Sequence, residues 1–111
     1  MTGTTEIAVG DILVRRVLEM EIPFRTPESL FPDATPEAID AHRHWMEPWA
    51  FCPETGKMIL AVQSYLLRTS HHTILVDTCM GCDKTYESFM PWHKRTDRSW
   101  LTRLGAAGVG P

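Results

Sequence analysis

The residues best equipped for chemistry lie between positions 42 and 83. Cys79-Met80-Gly81-Cys82 is a C-x-x-C pair directly after a branched apolar run. Where such a pair opens a helix, the helix N-terminus lowers a thiol pKa and creates a redox nucleophile. Asp83-Lys84-Thr85 begins no helical pattern, however, so the same spacing also fits two small residues in a loop. One reading of the chain is therefore a small thiol-redox or binding module in which Cys79 and Cys82 form a reversible disulfide. Cys52 and a histidine would have to complete a zinc set, and a single C-x-x-C is only half of one. His42-Arg43-His44 has H-x-H spacing but falls on a helical stretch, where residues two apart face different ways. His71-His72 marks a turn between strands. Both pairs read as surface imidazoles. Asp77 ends the run Ile74-Leu75-Val76, and a carboxylate there must find hydrogen-bond partners or stay near water. Sites in layered α/β folds collect at such strand ends. Trp49 and Phe51, in predicted loops, are the candidates for an aromatic substrate pocket. Trp45, Trp92 and Trp100 read as core or subunit contact.

The elements that must position these residues follow from pattern and punctuation. The branched, loosely alternating residues 12–20 predict a first strand ending near Ile22-Pro23. Three prolines make 23–32 an extended loop. Thr35 is an N-cap, Pro36 fits the first helical turn, Glu37 suits the positive end of the dipole and Pro48 stops the helix, which predicts a helix over Pro36–Met46. Pro53-Glu54-Thr55-Gly56 is a tight turn. The β-rich runs 58–67 and 73–78, separated by Ser70-His71-His72, predict an antiparallel hairpin covered on both faces. Residues 84–95 read as irregular or weakly helical. Asp97 caps a last helix with Trp100, Leu101 and Leu104 on one face, closed by Gly108.

With 111 residues, 43% hydrophobic and 23% charged, the chain is in the globular range and long enough for one core. Lys plus Arg number 11 against 14 Asp plus Glu, a net charge of −3 with no basic run, which argues against nucleic acid as a partner. No apolar run approaches the roughly 20 residues that span a bilayer, and residues 1–10 lack a basic start and apolar centre, so the reading is no membrane partner and a cytoplasmic location. Three cysteines at low density argue against a disulfide-stapled module and favour reduced thiols. A last helix closed at Gly108 would ordinarily lead into another strand, so Gly110-Pro111 reads as a loop rather than a domain terminus, and residues 1–111 as a single incomplete domain.

SYLLRT at 64–69, TILVDTCMGCDK at 73–84 and LTRLGAAGV at 101–109 occur in that order. Together they resemble the amino-terminal part of metallo-β-lactamase-fold hydrolases, in the branch with lactonase-like and organophosphate-hydrolase-like enzymes. The strand-ending Asp77 with Thr78-Cys79-x-Gly81-x-Asp83-Lys84 is the specific part. The resemblance implies an α+β fold: the N-terminal half of an αββα sandwich, with mostly antiparallel sheet and flanking helices. It implies one or two metal ions, usually two zinc ions, at the edge of the sheets of the full-length enzyme, where the metal makes hydroxide available near neutral pH and polarises a lactone, ester or phosphoester. The substrate of such a parent would be a small molecule. Asp77 would correspond to the strand-end Asp that supports the metal-binding loop without being a principal ligand, and Thr78, Cys79 and Gly81 would shape the same loop. Cys82 stands where the family pattern leads one to expect Asn. The principal ligands form an H-x-H-x-D-H loop that the 111 residues do not contain. His42 and His44 lack the D-H and lie upstream of the hairpin. The resemblance thus implies an N-terminal fragment with no catalytic residue and no metal ligand of its own, inactive alone, and inclined to self-associate through exposed strands.

Overall fold

The computed structural model describes residues 6–110. The portion of the amino-terminal reading that rests on residues 1–5, and the ending at Pro111, lie outside the described residues. The chain is α+β: strands β1 (Glu6–Val9), β2 (Ile12–Arg25), β3 (Phe51–Cys52), β4 (Lys57–Arg68) and β5 (Thr73–Val76), and helices α1 (Pro27–Leu30), α2 (Pro36–Met46) and α3 (Ser99–Ala106), with one 3₁₀ turn at Met90–Trp92. The strand order is β1-β2-β4-β3, with β5 also on β4, and the β1–β2, β3–β4 and β4–β5 pairs are antiparallel. The residues fall into two compact units, Met20–Ala61 and a second that joins 6–19 with 62–110, so β2 and β4 contribute to both.

In the first unit, α2 has the predicted bounds for the predicted reasons. Thr35 is extended (φ −71°, ψ 156°), its hydroxyl accepts the Ala38 N–H at 3.2 Å, Pro36 opens the helix and Glu37 lies in its first turn. The turn at 53–56 closes β3 onto β4 with Phe51 opposite Met58 and Cys52 opposite Lys57. Two readings need correction. Residues 23–32 are not one extended loop, because β2 runs through Pro23 to Arg25 and Pro27 opens a single helical turn. A proline at a position that donates no ladder hydrogen bond leaves a strand intact. Phe51 is not in a loop but in β3, where it is 7% exposed.

The second unit holds the core. Val17 of β2, Leu66 of β4, and Leu104 and Ala107 at the end of α3 form one buried cluster, with Leu75, Trp100 and Val109 packed against it. The β1–β2 turn is two residues long, and Gly10 supplies the positive φ (+60°) such connections require. Sequence reading placed no strand before Ile12. The β4–β5 hairpin forms as predicted, with Arg68 opposite Thr73 and Tyr65 opposite Val76. Its turn is held by Thr69, whose hydroxyl accepts from the His71 and His72 amides at 3.2 and 2.8 Å.

Coverage on both faces does not hold. Leu66 and Leu75 pair on the α3 side, whereas Tyr65, Ile74 and Val76 alternate onto the other face and are 41–47% exposed. On β1, Ile7 and Val9, paired with Val14 and Ile12, are more than half exposed. Alternation along β2 puts Ile12 and Val14 opposite the face of Val17, so this unit has one helix-covered sheet face and one apolar face open to solvent.

Helix α3 begins where Asp97 Oδ1 accepts the Ser99 amide at 2.7 Å. It ends in a Schellman arrangement: Gly108 N–H bonds Gly105 C=O at 2.9 Å and Val109 N–H bonds Leu104 C=O at 3.2 Å, with Gly108 at φ +84°. The Arg68 guanidinium donates to Ala107 C=O, fastening the helix end to β4. Leu101 does not join the buried stripe and is 46% exposed, since its azimuth is about 100° from Trp100 and about 60° from Leu104. None of the described helices is long and apolar enough to cross a membrane.

The core makes a direct stability prediction. Leu66→Ala, at a position 0% exposed, should lower the unfolding free energy by about 2–5 kcal/mol in urea titration. Ile74→Ala on the open face should cost much less, and equal losses would contradict the one-sided burial.

Candidate functional site

Everything that converges on the C-x-x-C segment belongs to the second unit. After β5 the backbone enters the left-handed region at every second residue: Asp77 (φ 70°), Cys79 (62°), Gly81 (80°) and Asp83 (59°). For residues other than glycine this costs about 1–2 kcal/mol each, so the conformation needs fixed partners. Each of the four positions has one. Asp77 Oδ1 accepts the Cys79 N–H at 2.7 Å, turning the exposed carboxylate onto its own loop. Cys79 Sγ lies 3.2 Å from Ser64 Oγ. Gly81 N–H donates to Glu19 Oε2 at 3.2 Å. Asp83 N–H donates to Arg95 C=O at 2.8 Å, and its carboxylate meets Arg98 at 2.7 Å.

Two buried polar groups, neither picked out from sequence, support this loop. Ser64 is 0% exposed on β4, and its hydroxyl accepts the Trp100 indole N–H at 3.1 Å while facing Cys79. Glu19, on β2, pairs with Arg95: Oε1 lies 3.4 Å from Nη1, with the two side chains 1% and 9% exposed. That contact is an ion pair without hydrogen-bond geometry, and Glu19 Oε1 and Arg95 Nη1 have no other partner. Arg95 Nη2 instead donates to Glu19 C=O and to Asp97 Oδ2, each at 3.2 Å. A charged residue inside the strand pattern Val17-Leu18-Glu19-Met20, on the same face as Val17, is the signal that would have marked Glu19.

Beside the pair lies a cavity of about 240 Å³ lined by Glu19, Thr78, Cys82, Arg95 and Trp100 among others. Cys82 Sγ donates to Asp97 C=O at 2.9 Å. The two thiols of the C-x-x-C are thus free and bonded to different partners. Burial first, then the nearby Glu19 and Asp77 carboxylates, pushes the Cys79 thiol up, against the opposing pull of Ser64 and Arg95. The direction is opposite to the depressed pKa that activates a thiol nucleophile.

The remaining candidates are in the first unit. Trp49 is 53% exposed. Phe51 is buried with the Arg43 guanidinium 5.2 Å from its ring centre, and it lines a cavity of about 140 Å³ with Pro27, Pro36, Ile39 and Asp40. Trp45, read as core or contact, is 57% exposed and donates to His42 Nδ1 at 3.1 Å. Both His42 and His44 face solvent from α2.

Among the described residues no three His, Cys, Asp or Glu side chains are grouped to hold a metal ion. Asp77 is committed to a backbone amide and the two cysteines to Ser64 and Asp97, so this donor set does not fit a zinc site. The chain matches no family model, no curated protein and no solved structure.

Two measurements probe this geometry. Ser64→Ala removes the acceptor of the part-buried Trp100 N–H and should cost about 0.5–1.5 kcal/mol; a neutral result would dissociate the indole from the site. Because folding raises the Cys79 pKa, the unfolded chain releases that proton first, so this group's contribution is complete below the ordinary thiol pKa and is lost as pH climbs through and above it. Site-resolved alkylation of Cys79 should accordingly be slower in the folded chain than in urea at pH 8.5, and an equal rate would contradict the assigned environment.

Proposed function

We propose that the chain is the amino-terminal part of a metallo-β-lactamase-fold hydrolase of the lactonase-like or organophosphate-hydrolase-like branch. It supplies sheet and supporting loop to a zinc-dependent hydrolysis of a small lactone, ester or phosphoester. The observation that carries this reading is the placement of the three similar blocks. Residues 64–69 span the end of β4 and its turn, 73–84 are β5 and the left-handed loop, and 101–109 are α3 and its cap. They come together around one core, with Asp77 at the strand end.

The open apolar face also supports the reading. A sheet with a helix on one side and Ile7, Val9, Tyr65, Ile74 and Val76 uncovered on the other has the layering of half a sandwich, whose second sheet would bury that face. Asp77, Thr78, Cys79 and Gly81 then act by shaping a loop, and the turn of Asp77 onto the Cys79 amide suits support better than ligation. Zinc would be held by residues other than these. No hydrolytic step is assigned to the described residues, because their donors do not fit the metal. Left uncovered, the same face favours self-association.

The purified chain, incubated with zinc and a panel of lactone, ester and phosphotriester substrates, should show no turnover above the zinc-only blank. Turnover that a chelator abolishes would overturn the assignment of the chemistry to residues outside this set.

A further inference from the structure

We propose that Glu19 is the positioning residue of the 77–83 loop and that Arg95 locks it there. The inference rests on reading that loop as the supporting element of the candidate site. Glu19 stands 62 positions from Gly81, yet its Oε2 is the acceptor for the Gly81 amide. That amide lies between the left-handed Cys79 and Asp83, whose backbone has to be held from outside the loop. Ser64 pins the loop at Cys79, Glu19 pins it at Gly81, and the Arg95 carbonyl pins it at Asp83.

Arg95 thus acts twice. Its backbone receives Asp83 N–H, and its side chain spans from the Glu19 carbonyl to Asp97 at the start of α3. Both charged side chains are at least nine-tenths buried, so water does not readily replace either partner. The pair therefore couples strand, loop and helix entry in one contact, and displacing the Glu19 carboxylate would release Gly81 and shift the Asp77–Cys79 turn. The Cys79 thiol reports on the pair because Glu19 and Asp77 oppose its ionisation while Arg95 and Ser64 favour it.

The test uses the whole chain. Glu19→Gln keeps size and an acceptor oxygen but removes the charge, leaving Asp77 as the one carboxylate that still opposes Arg95 and Ser64 at Cys79. Site-resolved iodoacetamide alkylation across pH 6.5–10 should show the Cys79 midpoint moving down, with a rate at pH 7.5 about three- to tenfold higher. Hydrogen exchange at Gly81 should quicken by about tenfold or more. Glu19→Asp, one methylene shorter, should restore the Cys79 pH profile but not the Gly81 protection, which separates charge from reach. An unchanged Cys79 profile together with unchanged Gly81 exchange in folded Glu19→Gln would overturn the proposal. Should that variant not fold, Arg95→Lys replaces it: faster Gly81 exchange supports the lock and unaltered protection refutes it. Each readout belongs to this loop alone, so the hydrolase reading can fail through turnover by the chain itself without altering this result, and the reverse also holds.

Discussion

A charged pair withdrawn from water is the constraint on which the loop of the second unit depends. Removing a carboxylate and a guanidinium from solvent costs several kcal/mol per ion, and only close partners offset it. Glu19 and Arg95 find those partners in the Gly81 amide, the Glu19 carbonyl and Asp97, which means that β2, the 77–83 loop and the entrance to α3 must assemble together. The apolar cluster of Val17, Leu66, Leu104 and Ala107 provides the driving force of burial, but it is tolerant of small shifts. The ionic contact is not, because a small displacement leaves charge without compensation. It therefore decides where the loop stands once the core has formed.

The loop is built to be held in place. Alternating left-handed residues give it little intrinsic preference for its observed shape, and the hydrogen bonds of Asp77, Ser64, Glu19 and Arg95 replace that preference one residue at a time. A support whose Asp77 carboxylate and two thiols already hold hydrogen bonds is consistent with an element that orients ligands supplied from elsewhere. The same contacts explain why the C-x-x-C spacing is a poor guide to chemistry here. Cys79 is drawn toward Ser64 and Cys82 toward the Asp97 carbonyl, and no helix follows them to stabilise a thiolate.

Features with local causes were legible in the sequence. The α2 boundaries follow from Thr35, Pro36 and Pro48. The β4–β5 hairpin follows from two β-rich runs around Ser70-His71-His72, and the close of α3 from Gly108. Asp97, read as the cap of that helix, stands one residue before its N-cap, Arg98, which has no side-chain cap; the Asp97 carboxylate accepts the Ser99 amide instead. Features set by distant partners were not legible. Nothing adjacent to Glu19 reveals that Arg95, 76 positions on, will neutralise it. The run Ile74-Leu75-Val76 looks the same whether one face is covered or two, and only the position of α3 decides that. Phe51 was misplaced for the same reason, because a two-residue strand is defined by its partner Met58 and not by its own composition. For the candidate site, Asp77 stood out by its place at a strand end and Cys79 by the C-x-x-C spacing, while nothing local marked Ser64 and Glu19 as the residues that contact that loop.

The central proposal is that residues 73–84 act as a strand-and-loop support of the metallo-β-lactamase kind. The most direct measurement is a transplant of this segment into a lactonase-like member of that fold in place of its corresponding strand-end segment, followed by determination of zinc content and turnover. The account predicts that the chimera folds, keeps its zinc complement and retains turnover within about tenfold of its parent. A folded chimera that has lost its zinc and its activity would contradict it.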